Sequence, residues 1–370
     1  MSELTPDPTG APRNDRPPVA AGDLPNDPAV DRTAHPVDDP TGASGPDPVV
    51  AALVQGIRGG DRRALARGIT IVESTRADHR RQAVELLDAL LPATGDAVRI
   101  GISGPPGVGK STFIETFGLH IVGLGHRVAV LAVDPSSSRS GGSILGDKTR
   151  MAELSRHPQA FIRPTPGGEQ LGGVARRTRE AMLLCEAFGF DVVIVETIGV
   201  GQSEVAVADM VDLFLLLVNP GGGDELQGIK RGIMELADLV VVTKADGELA
   251  NSARHAAADL RRAIHLLRPK HEGLETETLL VSSPTGEGIA EVWDHMVAAH
   301  RHLASTGQLD ALRADQARAW MWDELRAGLV ERFRQDPAVA AELGGLEAAV
   351  RAGTVAPTAA AQSLLDRFTR

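Results

Sequence analysis

The chain has 370 residues, 42% of them hydrophobic and 24% charged, proportions that exclude a fibrous repeat or a wholly disordered chain. Lys and Arg total 38 against 49 Asp and Glu, a formal charge of -11, which excludes a general affinity for the nucleic-acid phosphate backbone and requires a dedicated site for any anionic ligand. Cys185 is the only cysteine, ruling out an intrachain disulfide or a cysteine-cluster metal site, and without a ~20-residue apolar run or a basic apolar leader the expectation is a cytoplasmic protein with no membrane partner.

Residues 1 to 48 hold 11 of the 23 prolines and nine acids against three arginines. Such a segment cannot bury enough apolar surface to offset chain entropy, so it reads as a disordered tail. From residue 49 to 95 the texture changes. Val50, Leu53, Val54 and Ile57, then Leu65, Ile69 and Val72, then Ala83, Leu86, Leu87 and Leu90 recur near helical spacing and predict an N-terminal helical subdomain. From residue 96 to 305, short apolar runs alternate with longer helical stretches: Val98 to Ile102, Val128 to Val133, Phe161 to Ile162, Val192 to Val195, Leu213 to Val218, Leu239 to Val242 and Thr278 to Val281. Strands with no polar face are what a mostly parallel sheet covered on both sides requires, so the fold class is α/β. Beyond about Ala290 the chain reads as helix to its end. In the final stretch, residues 306 to 370, Met321, Leu325, Leu329 and Phe333 fall at i, i+4 spacing near Trp320 and Trp322, a stripe suited either to its own domain or to a dimer surface.

The first run leads into Gly104-Pro105-Pro106-Gly107-Val108-Gly109-Lys110-Ser111, which satisfies G-x-x-x-x-G-K-[ST] between a strand and a helix that includes Thr112. Glycines let backbone N–H groups turn inward as an anion cradle, Lys110 reaches the β- and γ-phosphates, and Ser111 offers a hydroxyl to Mg²⁺. The fold class sharpens to a P-loop NTPase. After the second strand comes Asp134-Pro-Ser-Ser-Ser-Arg139, continuing through glycines to Asp147. Loops at the carboxyl ends of parallel strands line the ligand crevice, so Asp134 is expected to face the phosphates with a catalytic and metal-anchoring role. Asp147 by itself reads as an exposed loop acid. Asp191-Val-Val-Ile-Val-Glu196-Thr-Ile-Gly199 ends a strand with a carboxylate and then a glycine, where a Walker B acid and a γ-phosphate-sensing loop belong. Glutamate there favours water-mediated contact with Mg²⁺. Thr243-Lys244-Ala-Asp246 resembles the N-K-x-D element of GTPases. The Asp246 carboxylate can accept the N1–H and 2-amino hydrogens of guanine, Lys244 would cover the base plane, and Ser282-Ser283-Pro284 would touch the guanine O6. Threonine in place of asparagine puts the loop-bracing contact of that element in question.

These segments together resemble the MeaB/ArgK family of P-loop GTPases, accessory proteins of adenosylcobalamin-dependent methylmalonyl-CoA mutase and related acyl-CoA mutases. The long stretches Glu196-Thr-Ile-Gly-Val-Gly-Gln-Ser-Glu204 and Asn219-Pro-Gly-Gly-Gly-Asp-Glu-Leu-Gln-Gly-Ile-Lys230 carry the resemblance along with the phosphate loop. It implies a homodimer with a C-terminal dimerising arm and bound GTP or GDP with Mg²⁺ held by Ser111, Asp134, Asp147 and Glu196. It also implies switch segments at Asp134 to Asp147, Glu196 to Glu204 and Gly221 to Lys230. Lys230 would act catalytically when the mutase binds. A nickel- or zinc-inserting GTPase, a P-loop kinase and a nucleotide-controlled scaffold are the competing expectations. The histidines, His126 and His157 among them, show no ligand spacing and read as surface or capping residues.

Overall fold

The structure is a computed structural model, and it describes residues 47–133, 151–165, 171–197, 203–221 and 231–368. The acidic, proline-rich tail falls outside that range. Helices α1 (Pro48–Arg58), α2 (Arg62–Glu73) and α3 (Ala77–Leu90) open the fold. Asp47 caps α1 by accepting from Val49 N, and Gln82 on α3 donates to its other oxygen, so one side chain fixes both a helix start and a helix pair. Asp61 caps α2 in the same way.

Seven strands follow: β1 (Val98–Ser103), β2 (Val128–Val133), β3 (Ala160–Thr165), β4 (Val192–Thr197), β5 (Leu213–Val218), β6 (Leu239–Val242) and β7 (Glu277–Leu280). They form one all-parallel sheet in the order β3-β2-β4-β1-β5-β6-β7. The helices between them are α4 (Lys110–Gly123), α5 (Leu171–Phe188), α6 (Ser203–Ala208), α7 (Arg231–Met234) and α8 (Ala250–Ile264). Side chains alternate across each strand, so β2 sends Val128 and Val130 to one core and Ala129, Leu131 and Val133 to the other. The first core lies under α5, α6 and α8 and runs on into α1 to α3, which form an outer layer over α5. The second lies under α4 and α9 (Ile289–Ser305), with Phe113, Phe117 and Trp293 fully buried. Cys185 on α5 is completely buried in the first core, and that burial pushes its thiol far above the ordinary range.

The amino-terminal edge of the sheet is sewn by aspartates that directly precede strands. Asp191 before β4 accepts from Arg127 N at 2.7 Å, Asp212 before β5 from Arg99 N at 2.8 Å, and Asp238 before β6 from Phe214 N at 2.7 Å. Each thereby binds its own strand to a neighbour. Asp212 is wholly buried and also takes a two-pronged contact from Arg313, at 2.9 and 2.8 Å, on helix α10 (Gln308–Gln335). Arg313 donates further to the carbonyls of Gly95 and Ala97, so it joins the helical entry, β1, β5 and the C-terminal helix at one point.

The C-terminal part is broken where a continuous helix was expected. Gly307, at φ 72°, separates α9 from α10, and Asp336 with Pro337 stops α10 and caps α11 (Pro337–Arg351) through Ala338 N and Val339 N. A further break precedes α12 (Pro357–Phe368). Met321, Leu325 and Leu329 are about half exposed, so within one chain the stripe is not a core face; Phe333 alone turns in, edge-on to Phe368. His126 corrects another expectation. It is 5% exposed, packed on Trp293 with Asp191 at 3.9 Å, because the turn before β2 folds it under α9.

Glu180 on α5 is buried between α3 and α10, with Arg80 and Arg176 each at 3.7 Å. Burial pushes its carboxyl up to about 8 against the pull of Arg80. Its folded value therefore lies above the unfolded one, the folded state holds the extra proton between pH 4.5 and 8, and stability falls as pH rises through that window. Glu180→Gln is expected to flatten this slope, by up to roughly 3 kcal/mol between pH 5.5 and 8. Urea unfolding at those two pH values checks it, and an unchanged slope would sink the assignment.

Candidate functional site

The carboxyl ends of β1, β4, β5 and β6 form the crevice where an open parallel sheet binds its ligand. The loop Gly104 to Gly109 leaves β1 there. A Cβ on Gly104 would lie 2.6 Å from the Leu217 carbonyl oxygen, so only glycine lets the loop pass so near β5. Gly107 and Gly109 hold φ of 78° and 95°, left-handed turns that bend the backbone around a hollow, while Val108 is fully buried as the anchor between them. Helix α4 starts at Lys110 with no side-chain cap, which leaves its first N–H groups directed at the crevice. The Lys110 ammonium reaches back to donate to Gly104 O at 2.7 Å and Pro105 O at 3.3 Å. Burial pushes its pKa below the ordinary lysine value, and the carboxylates of Glu196 and Glu204 work against that shift. Ser111 and Thr112 occupy the first turn of α4, Ser111 half-buried and Thr112 exposed; Pro105 is half-buried and Pro106 exposed.

Glu196 pairs with Ile102 of β1 and Ala132 of β2 in the strand register, is 3% exposed, and brings its charge to Lys110. One residue on, the Thr197 hydroxyl donates to Ser103 Oγ at 2.8 Å, a buried link between the acid-bearing strand and the strand that feeds the loop. Ser103 and Glu204 were not singled out in the sequence for these positions. Ser103 stands in no short motif that would mark it, and only the strand register brings it in; Glu204 closes the stretch that begins at Glu196 and, from helix α6, acts on the charge of Lys110. Asp134, Asp147, Gly199 and Lys230 lie outside the described residues.

The loop after β6 is built into the same crevice. The Thr243 hydroxyl donates to Val108 O at 2.8 Å, so threonine makes the brace to the phosphate loop that the missing asparagine had put in question. Lys244 donates to Gly107 O at 2.7 Å and to Asn219 Oδ1 at 3.1 Å. Ala245 N donates to Val281 O at 3.1 Å, which sets Asp246 beside the segment Ser282 to Pro284. Asp246 precedes a short 3-10 turn, Gly247–Leu249, without capping it through its side chain. The carbonyl of Ser283 accepts from the Thr116 hydroxyl on α4 at 3.1 Å, while Ser282 is buried and Pro284 exposed. Gly104 to Ser111, Glu196, Thr243 to Asp246 and Ser282 to Pro284 therefore converge on one end of the sheet. That arrangement offers anion-binding amides and a cation next to the loop after β6, with a buried acid at its side.

The sequence model described as methylmalonyl Co-A mutase-associated GTPase MeaB matches residues 65–338. A protein of Caulobacter vibrioides named a putative GTPase is 58% identical over 84% of this chain and 94% of its own. A Mus musculus protein named methylmalonic aciduria type A homolog, mitochondrial, is 48% identical over 86% of this chain and 79% of its own. Among solved structures, one titled as a LAO/AO transport system kinase aligns with a TM-score of 0.68 and 35% identity, covering 89% of this chain and all of that one.

Proposed function

The chain belongs to the MeaB family of methylmalonyl-CoA mutase-associated GTPases and is a GTPase; from that premise we propose that it is the accessory protein whose nucleotide state gates adenosylcobalamin loading of an acyl-CoA mutase of the methylmalonyl type and protects that enzyme. The observation that carries the nucleotide half of the reading is the Thr243 to Val108 hydrogen bond, which couples the base loop to the phosphate loop in one rigid cradle. Lys110 and the amides of Gly107 to Ser111 would take the β- and γ-phosphates, and Asp246 the guanine edge. The oxygen donors around the phosphate loop suit a hard cation: Ser111 and the buried Glu196 would hold Mg²⁺, together with Asp134 and Asp147, and Mg²⁺ would supply neutralisation of phosphate charge. Glu196 already faces a cation across the crevice, so its position is compatible with that charge.

The hydrolysis step needs a water aligned on the γ-phosphate and positive charge to meet what develops in the transition state. Asp134 is our assignment for an acid that faces the phosphates, and Lys230 for the cation that completes the site on contact with the mutase. Two copies would pair through the exposed α10 face of Met321, Trp322, Leu325 and Leu329, and a monomeric mass in sedimentation would remove that part of the reading.

The test is the rate of GTP hydrolysis with and without an adenosylcobalamin-dependent acyl-CoA mutase. A rise of roughly tenfold or more on adding the mutase is expected, in keeping with charge supplied in trans to a phosphoryl transfer. Lys230→Ala is expected to keep the unstimulated rate and lose the increment. Equal stimulated rates in the variant and the parent would refute the role of Lys230, and an unresponsive parent would refute the partnership.

A further inference from the structure

Among the described residues, Lys244 is the only non-glycine residue at positive φ, 55°. A side chain in that region is strained and stays there only when its surroundings impose it. Two acceptors do so: Gly107 O on the phosphate loop and the Asn219 side-chain oxygen, 2.7 and 3.1 Å from Nζ. Asn219 has so far no part in the site. It is the first residue beyond β5, and it stands next to Lys244 because Val218 pairs with Val242 and Thr243 N donates to Val218 O at 3.0 Å. Pro220 follows it, and the ring of a proline confines the preceding residue to extended backbone, which narrows the directions in which the Asn219 amide can point.

We propose that Asn219 is a positioning residue for guanine nucleotide binding: its oxygen and the Gly107 carbonyl hold the Lys244 chain in the orientation that covers the purine plane. The proposal rests on the reading of Thr243 to Asp246 as the base loop. An ammonium has three N–H donors, and two of them are spent on these acceptors, so the flexible four-carbon stem is fixed before the nucleotide arrives. Pre-ordering that stem removes an entropy cost from binding, and the gain appears chiefly as slower release. Any group that keeps an acceptor at this place preserves the effect, whereas a methyl group abolishes it.

The experiment measures the affinity and release rate of a fluorescently labelled GDP for the full chain with Mg²⁺. Asn219→Ala is expected to weaken binding about tenfold and to speed release by a similar factor, the scale of one hydrogen bond to a charged group. Asn219→Asp, which keeps the acceptor, is expected to stay within about threefold of the parent. Combined with Lys244→Ala, the Asn219→Ala change is expected to add nothing, since its effect passes through the lysine. Parent-like binding by Asn219→Ala, failure of Asn219→Asp to restore it, or an undiminished Asn219→Ala effect in the Lys244→Ala background each overturns the proposal. Lys244→Ala and Asp246→Ala distinguish the two levels. If both bind GDP as the parent does, the base-loop reading itself fails; if both lose it and Asn219→Ala does not, only the role of Asn219 fails.

Discussion

Lys110→Ala is expected to lower guanine nucleotide affinity by roughly 10²- to 10⁴-fold, the sum of two charge-assisted contacts at ~1.5–3 kcal/mol each. The ammonium lies at the mouth of the cradle, held by the carbonyls of Gly104 and Pro105, and needs only to turn from them to meet phosphate oxygens. Burial has already disfavoured its charge, so an anion arriving beside it is met by a cation with little water to surrender. The backbone amides survive the substitution, and residual weak binding of phosphate is expected from them. Calorimetric titration with GDP and Mg²⁺ reads the loss directly. A change of less than about threefold would show that the amides alone grip the nucleotide and that the lysine does not reach it.

Arg313→Ala is expected to cost ~3–5 kcal/mol of folding stability, the scale for stripping a buried charge of its partner. Burial by itself would raise the Asp212 carboxyl, yet the Arg313 guanidinium beside it, with His300 and Arg99, holds it far below the usual carboxylate range. A folded pKa below the unfolded value of about 3.8 contributes stability that is present above that value and lost as pH falls through the acid range. The variant should therefore lose most at neutral pH and differ least from the parent in strong acid. Arg313→Lys is not expected to restore it, because a lysine cannot serve Asp212 and the carbonyls of Gly95 and Ala97 with one planar fork. Thermal unfolding followed by circular dichroism at pH 7 measures the effect. A loss under about 1 kcal/mol would show that His300 and the strand amide satisfy Asp212 without the arginine.

The phosphate loop was legible because its chemistry acts through the backbone: glycine spacing, a lysine and a hydroxyl leave little freedom for anything else between a strand and a helix. The strands were legible for a related reason, since a doubly covered parallel sheet shows as unbroken apolar runs such as Leu213 to Val218. What stayed hidden depends on register. That Thr243 would reach Val108, 135 positions earlier, follows from the neighbouring ends of β1, β5 and β6 and from no local pattern. The aspartates at 191, 212 and 238 left a faint trace, an acid directly before an apolar run, but a solvated strand end gives the same letters. The breaks at Gly307 and Asp336-Pro337 were written plainly enough and were masked by the helical composition on either side of them.

Cys185 has a practical corollary. Its sulfur is sealed inside the protein and stripped of thiolate character, so thiol-directed reagents find no native target while the fold is intact. A cysteine introduced at an exposed place such as Leu249 or Leu266 would be the sole point of attachment for a maleimide dye. Spectroscopy on the wild-type background thus requires no prior removal of reactive groups.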